Sequence, residues 1–179
     1  KKPCSRNCGI CPGDNKLLQL RNALPDDTDD LNEAVTADMH AQPVEDTFWQ
    51  EKNGARYMTA YTDGAAYDAD YAHTARAGWA VWYSDASAHN HYRPLAGYVQ
   101  SPYRAELRAI LHIVRTAVNP TKIMCDCLPV VNALTVLIKA CATDDGKDTC
   151  LSKLSDKIAD YHIWNKVAQL IDQAPPHHF

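Results

Sequence analysis

The sequence contains no long apolar run, and no segment approaches the ~20 apolar residues that a membrane-spanning helix needs. Its first residues, KKPCSRNCGICPG, lack the apolar core of a signal peptide. It also lacks a basic excess, with 18 Lys and Arg against 22 Asp and Glu, which argues against tight unaided binding to nucleic acid. These absences predict a protein without a membrane partner, in a reducing intracellular compartment.

Cysteine is unevenly distributed along the chain. Among the 7 cysteines, Cys4, Cys8 and Cys11 stand in C-x3-C-x2-C spacing. An odd number without a signal peptide favours reduced thiols or a metal site over a disulfide framework. Three thiolates could hold Zn²⁺ with a fourth ligand such as His40. The same spacing resembles the iron–sulfur motif of radical-SAM enzymes, and unligated thiols are the third alternative. The remaining cysteines are interpreted as core or incidental residues: Cys125, Cys127, Cys141 and Cys150.

Charge divides the chain near residue 50. Residues 1–50 contain five Lys and Arg against nine Asp and Glu, whereas residues 51–179 contain thirteen of each. The acidic part has few large apolar side chains, so we expect residues 12–50 to have little regular structure of their own. The sequence thus predicts a cysteine-containing, acidic N-terminal arm over residues 1–50 and one folded domain over residues 51–179.

The hydrophobic pattern beyond residue 50 predicts an α/β domain. Residues 56–64 (RYMTAYTDG) alternate as a strand that Gly64 would end, and Ser101 followed by Pro102 marks the start of a helix. The predicted strands are 56–64, 77–84, 92–100 and 121–127, and the predicted helices are 103–118, 128–142 and 154–173. This order gives a mixed sheet flanked by helices, with three antiparallel strands and a fourth strand parallel to the first.

Three acids stand at elements that can share one edge of this sheet. Asp63 follows a strand, Asp126 lies near the end of another, and Glu106 is in the first helix. Taken singly, Asp63 before Gly64 is also explained as a turn residue, and Asp126 as the cap of the next helix. The three together favour a functional site.

Glu106 has no such alternative explanation. It shares a helical stripe with Ile110 and Ile113, so we expect it to face the sheet. A carboxylate there is costly unless a cation meets it, and clustered acids repel each other unless a divalent metal neutralises them. Arg104 and Arg108 could meet phosphate, but a solvated helix face explains them equally well. The residues expected on that face are Arg104, Arg108, His112 and Arg115.

Three tryptophans have both a core interpretation and a binding interpretation. Trp79 and Trp82 lie on opposite faces of their strand, so at most one of them points into the core. Trp164 shares an apolar helical stripe with Val167 and Leu170, which favours the core.

Three parts of the sequence resemble the signature blocks of ribonuclease H: YTDGAA with AGWAVWY, SPYRAELRAIL, and KIMCDCLPVVNAL. The resemblance covers residues 57–174 and is strongest to the ribonuclease H domains of retroelement reverse transcriptases. It implies an endonuclease that hydrolyses the RNA strand of RNA–DNA hybrids, with Asp63, Glu106 and Asp126 as catalytic acids binding two Mg²⁺ or Mn²⁺ ions. It also implies a polymerase domain or a larger complex as partner, in cis or in trans.

The resemblance stops at Phe179, where the family continues into a further strand, a histidine loop and a fourth acid. Neither His177 nor His178 matches that histidine, and Asp156 and Asp160 are expected to be solvated. This departure favours a second hypothesis, a catalytically weak or inactive ribonuclease H-like module that acts as a structural or interaction subunit. A third is a zinc-dependent arm that binds nucleic acid.

Overall fold

The computed structural model describes residues 49–52, 54–71, 73–85, 87–142, 154, 158–175 and 178–179. The strands in this part of the chain are β1 (Trp49–Lys52), β2 (Ala55–Tyr67), β3 (Arg76–Trp82), β4 (His91–Pro94) and β5 (Thr121–Met124). The helices are α1 (Pro102–Thr116), α2 (Leu128–Ala142) and α3 (Tyr161–Gln173). None of these helices is both long and apolar enough to cross a membrane. Of the arm predicted over residues 1–50, residues 1–48 lie outside the described residues, and with them the possible zinc ligands Cys4, Cys8 and Cys11.

β2 is the central strand of the sheet. It pairs antiparallel with β1 and β3, β3 pairs antiparallel with β4, and β5 runs parallel to β2. The antiparallel β2, β3 and β4 with the parallel β5 confirm the predicted mixed sheet. Sequence patterns did not indicate β1, whose segment WQEK is mostly polar. Its pairing with β2 extends the sheet across the boundary predicted at residue 50.

β2 continues beyond Gly64 to Tyr67, so the prediction that Gly64 ends this strand is wrong. The pairing continues because β3 stays in register as far as the pair Tyr67↔Arg76. Glycine is needed for another reason. A Cβ at Gly64 would lie 2.5 Å from the backbone nitrogen of Glu106 and 2.9 Å from the carbonyl oxygen of Pro102. Gly64 therefore lets the first turns of α1 lie directly on β2.

α1 begins where the sequence predicts. The Ser101 hydroxyl accepts a hydrogen bond of 3.1 Å from the backbone N–H of Arg104, and Pro102 is the first helical residue. One side of α1 packs on β2 and β3 through small residues and Ile113, and the other packs on α2 and α3 through larger residues such as Leu107 and Leu111. α1 is therefore the layer that joins the sheet to the other helices.

The prediction of a solvated face on α1 is wrong at two arginines. Arg104 and Arg108 are only 6% and 4% exposed, because α1 lies between the sheet and α3. Arg104 forms an ion pair with Asp160, so the prediction that Asp160 is solvated is also wrong. The guanidinium of Arg108 lies 6.0 Å from the ring centre of Trp79. Tertiary contacts from α3 and the sheet, which the helical pattern does not encode, bury both side chains.

The tryptophans are placed as their patterns indicate. Trp79 is 5% exposed, whereas Trp82 is 43% exposed, as expected for opposite faces of one strand. Trp164 is fully buried, and its indole Nε1 donates a hydrogen bond of 2.9 Å to the hydroxyl of Tyr103. Trp79 and Trp164 are therefore core residues.

Candidate active site

The candidate site lies where the pairing between β2 and β5 ends. The last bridged pair of these parallel strands is Tyr61↔Met124. Beyond this pair, β2 continues with Thr62 and Asp63, and β5 is followed by Cys125 and Asp126. Parallel strands carry such residues to the same edge of a sheet, where α/β proteins commonly place their sites.

Glu106 approaches this edge from α1 and is 3% exposed, which confirms that it faces the interior. Its Oε2 accepts a hydrogen bond of 2.7 Å from the Thr62 hydroxyl and one of 3.4 Å from the Cys125 thiol. No ion pair reaches Glu106 from the described residues. A buried carboxylate held by neutral donors alone is costly, so its surroundings favour a bound cation.

Asp126 completes a group of three potential metal ligands. One ligand atom from each of Glu106, Cys125 and Asp126 lies within 4.8 Å of the other two. Glu106 is buried, Cys125 is half-buried and Asp126 is exposed, so the group opens to solvent on one side. Carboxylates and thiols both bind metals, and the described hydrogen-bond partners of Glu106 are both neutral. The residues present therefore fit a divalent metal ion.

Asp63 is placed differently from the other two acids. Gly64 and Thr62 face α1, and Asp63 between them is exposed, as Asp126 is after Cys125. Within the described ranges, the group of ligand atoms around Glu106 does not include Asp63. The structure brings Glu106 and Asp126 together, and the metal-binding role of Asp63 stays a prediction.

Sequence patterns did not indicate Cys125 and Thr62 as site residues. Burial raises the pKa of the Cys125 thiol to about 11, because desolvation disfavours the thiolate. The charge of Glu106 raises this pKa as well. The signal available in the sequence was adjacency, since Cys125 precedes Asp126 and Thr62 precedes Asp63.

A second group of titratable side chains lies further along α1. His112 stacks on His91 with ring centres 4.4 Å apart, and the Trp79 ring lies 5.2 Å from His91 and 5.3 Å from His112. Burial, together with the nearby His91, Arg115 and Arg108, lowers the pKa of His112 to about 3. His112 is therefore neutral near pH 7 and acts as a packing residue.

Comparison with known proteins assigns the domain. No curated protein matches the chain. The family model for RNase H matches residues 55–177, a range that begins with β2 and includes Glu106, Cys125 and Asp126. The match covers more than half of the 179 residues, and the mixed sheet has the architecture that the resemblance implied. The chain therefore belongs to the RNase H family.

Proposed function

We propose that this domain is an endonuclease that hydrolyses the RNA strand of RNA–DNA hybrids by a two-metal-ion mechanism with Mg²⁺ or Mn²⁺. Membership of the RNase H family supports a nuclease that acts on hybrids. The observation that carries the proposal is the buried Glu106 carboxylate, which lacks a cationic partner in the described part and has an Asp126 oxygen within 4.8 Å. The burial of Glu106 beside a second acid favours a bound divalent cation, and two-metal phosphodiester hydrolysis uses acids that bind such cations.

The bound metal ions would activate the attacking water and stabilise the leaving oxygen. Glu106 and Asp126 would hold them, with Asp63 as the third acid. Thr62 fixes the Glu106 carboxylate through its 2.7 Å hydrogen bond, and Gly64 lets α1 approach closely enough for that contact. These side chains fix the geometry of the negative charge before substrate arrives.

Asp63 belongs to the proposal because of its position on β2. It comes two residues after Tyr61, as Asp126 comes two residues after Met124, and Tyr61 and Met124 are the last bridged pair of β2 and β5. Its exposed carboxylate is accessible to solvent ions and to a docked hybrid. Recognition of the hybrid would rest on groove shape and on contacts to 2′-hydroxyls.

The proposed context is a retroelement polyprotein, with a polymerase domain or a larger complex as partner. The support is the resemblance of the three sequence blocks to reverse-transcriptase ribonuclease H domains. We also propose a reducing intracellular compartment, with which reduced thiols at Cys125 and Cys127 are compatible.

A second candidate function is a catalytically weak or inactive RNase H-like module within a larger assembly. The observation that favours it is the position of Asp63, which lies outside the ligand group of Glu106 and Asp126 in the described part of the chain. With two acids instead of three, one metal ion would be held loosely.

Cleavage of a labelled RNA–DNA hybrid during Mg²⁺ and Mn²⁺ titration separates these functions. We expect metal-dependent cleavage by the wild type and background cleavage by Asp63→Asn and Glu106→Gln. Asp172→Asn is the matched control, because it makes the same acid-to-amide change at an exposed position on α3. It should cleave at the wild-type rate.

Calorimetric titration of the same proteins with Mg²⁺ and Mn²⁺ measures metal binding and completes the test. Metal binding without cleavage in the wild type would favour the inactive module. If the wild type neither cleaves nor binds metal at millimolar concentrations, the three acids are not a metal site. Cleavage by Asp63→Asn at the wild-type rate would remove Asp63 from the catalytic set.

A further inference from the structure

The thiol of Cys125 is the feature of the site that the hydrolysis of hybrids does not use. Its Sγ lies 3.4 Å from Glu106 Oε2, and both atoms share a group with an Asp126 oxygen in which every pair lies within 4.8 Å. Mg²⁺ prefers oxygen ligands and near-ideal octahedral geometry, so a thiol contributes little to a magnesium site. A sulfur beside two carboxylates instead matches the donors of a softer cation.

The spacing of these atoms matches a tetrahedral metal ion. Zinc binds sulfur at ~2.3 Å and carboxylate oxygen at ~2.1 Å, so two such ligands at the tetrahedral angle lie about 3.6 Å apart. The distance between Cys125 Sγ and Glu106 Oε2 is 3.4 Å. Asp126 is exposed, so its carboxylate can adjust its rotamer to close the third side. A fourth position remains for water.

The burial of Glu106 also favours a bound cation. Glu106 is only 3% exposed, and its described partners are the hydroxyl of Thr62 and the thiol of Cys125, both neutral. A cation between Glu106 and Cys125 would compensate this charge and would take the place of the S–H···O contact.

We infer that Cys125, Glu106 and Asp126 form a mixed sulfur–oxygen site for a thiophilic divalent cation of the Zn²⁺ or Cd²⁺ class, which competes with Mg²⁺ for the two carboxylates. The competition rests on the proposed function, whereas the binding itself does not. On binding, the S–H bond of Cys125 breaks, a metal–sulfur bond forms and the proton passes to solvent. No electrons are transferred. Bound Zn²⁺ would thereby inhibit the nuclease reversibly.

The first test is ¹¹³Cd NMR of the full chain with Cd²⁺ alone as the probe. We expect a resonance typical of one sulfur ligand among oxygen ligands, which disappears in Cys125→Ser. Cys127→Ser is the matched control, since Cys127 is two residues away, is also a half-buried free thiol, and lies outside the ligand group. It should keep the resonance. Cys4, Cys8 and Cys11 are present in every variant, so their signals are common to all spectra.

Calorimetric titration with Cd²⁺ gives the size of the effect. Loss of Cys125 as a direct ligand should raise the Kd of this site by more than the ~10-fold that loss of an outer-shell partner costs. Asp126→Asn provides a second variant with little risk to folding, because the side chain is exposed, and it should also weaken Cd²⁺ binding. Absence of the one-sulfur resonance in the wild type, or its persistence in Cys125→Ser, would overturn the inference.

Inhibition assays separate this inference from the proposed function. Each protein is compared with its own Mg²⁺-dependent rate, and the Cd²⁺ concentration that halves cleavage should be higher for Cys125→Ser than for Cys127→Ser. Cleavage in Mg²⁺ with no one-sulfur site contradicts the inference alone. A one-sulfur site in a protein that does not cleave in Mg²⁺ contradicts the proposed function alone and supports the inference.

Discussion

The Thr62 hydroxyl donates a hydrogen bond of 2.7 Å to the Glu106 carboxylate and thereby joins β2 to α1 at the candidate site. The Thr62 hydroxyl oxygen also lies 3.5 Å from the carbonyl oxygen of Met124, the last residue of β5. Thr62 has one proton to donate, and the shorter contact with the carboxylate takes it. A single threonine thus fixes the rotamer of the buried acid where two strands and a helix meet.

Replacement of Thr62 by valine should be costly, because it preserves the shape of the side chain and removes the donor. We expect Thr62→Val to lower the free energy of unfolding by about 1–3 kcal/mol in metal-free buffer. Thr59→Val is the matched control, since Thr59 is also buried on β2 and its hydroxyl has no hydrogen-bond partner among the described residues. That change should be neutral or stabilising. Chemical denaturation that gives equal losses for both variants would contradict this role of Thr62.

Gly64 allows a close approach of two backbones, and this makes it sensitive to a single methyl group. A Cβ there would meet backbone atoms of Glu106 at 2.5 Å and Pro102 at 2.9 Å, whereas a Cβ at Gly78 on β3 would meet its nearest backbone atom at 3.4 Å. We expect Gly64→Ala to cost about 1–3 kcal/mol of stability and to weaken metal binding, since α1 must shift. Gly78→Ala should be much closer to wild type in thermal unfolding. Equal stability of the two variants would show that α1 does not depend on this contact.

Glu106 illustrates how much of the site the sequence could predict. An acid within an apolar helical stripe has few explanations other than a buried functional role, and the structure confirms its burial. Its partners Thr62 and Cys125 could not be found in this way. They depend on which face β2 and the end of β5 each present to α1, and a shift of one residue in either strand would turn that strand's side chain away from Glu106.

Arg104 and Arg108 show the limit of periodicity. Their spacing correctly placed them on one face of α1, but a helical pattern does not reveal which other element covers that face. α3 brings Asp160 to Arg104, across a separation of 56 residues that no local signal spans. The strand β1 was missed for a related reason, since the pairing of its polar segment with β2 is a tertiary contact.

The Arg104–Asp160 ion pair should contribute to stability because both side chains are largely buried, at 8% and 10% exposure. Asp160 has a φ of 57°, in the left-handed region that asparagine also tolerates. Asp160→Asn therefore removes the charge with little change in backbone strain. We expect a loss of roughly 3 kcal/mol in denaturant unfolding, because Arg104 keeps a buried charge. Asp172→Asn, at an exposed position on α3, should have little effect, and a similar loss there would contradict this explanation.

His112 should make the protein acid-sensitive. Its folded-state pKa of about 3 lies below the ordinary value of 6.5, because burial and the nearby His91, Arg115 and Arg108 disfavour the imidazolium. Above pH 6.5 the residue is neutral in both states and contributes nothing to the pH dependence. Between pH 6.5 and 3 the unfolded chain binds a proton that the folded chain does not, so stability falls as the pH falls.

The variant His112→Phe isolates this effect, since phenylalanine keeps a flat ring against His91 and Trp79 and cannot bind a proton. One proton is worth ~1.4 kcal/mol per pH unit, so between about pH 6.5 and 4.5 the wild type should lose about 2 kcal/mol more stability than the variant. Denaturant unfolding across this range measures the difference. Proton NMR gives a direct check, because the His112 ring signal should not titrate above pH 4. A midpoint near 6.5, or parallel stability curves for the two proteins, would contradict the buried, neutral imidazole.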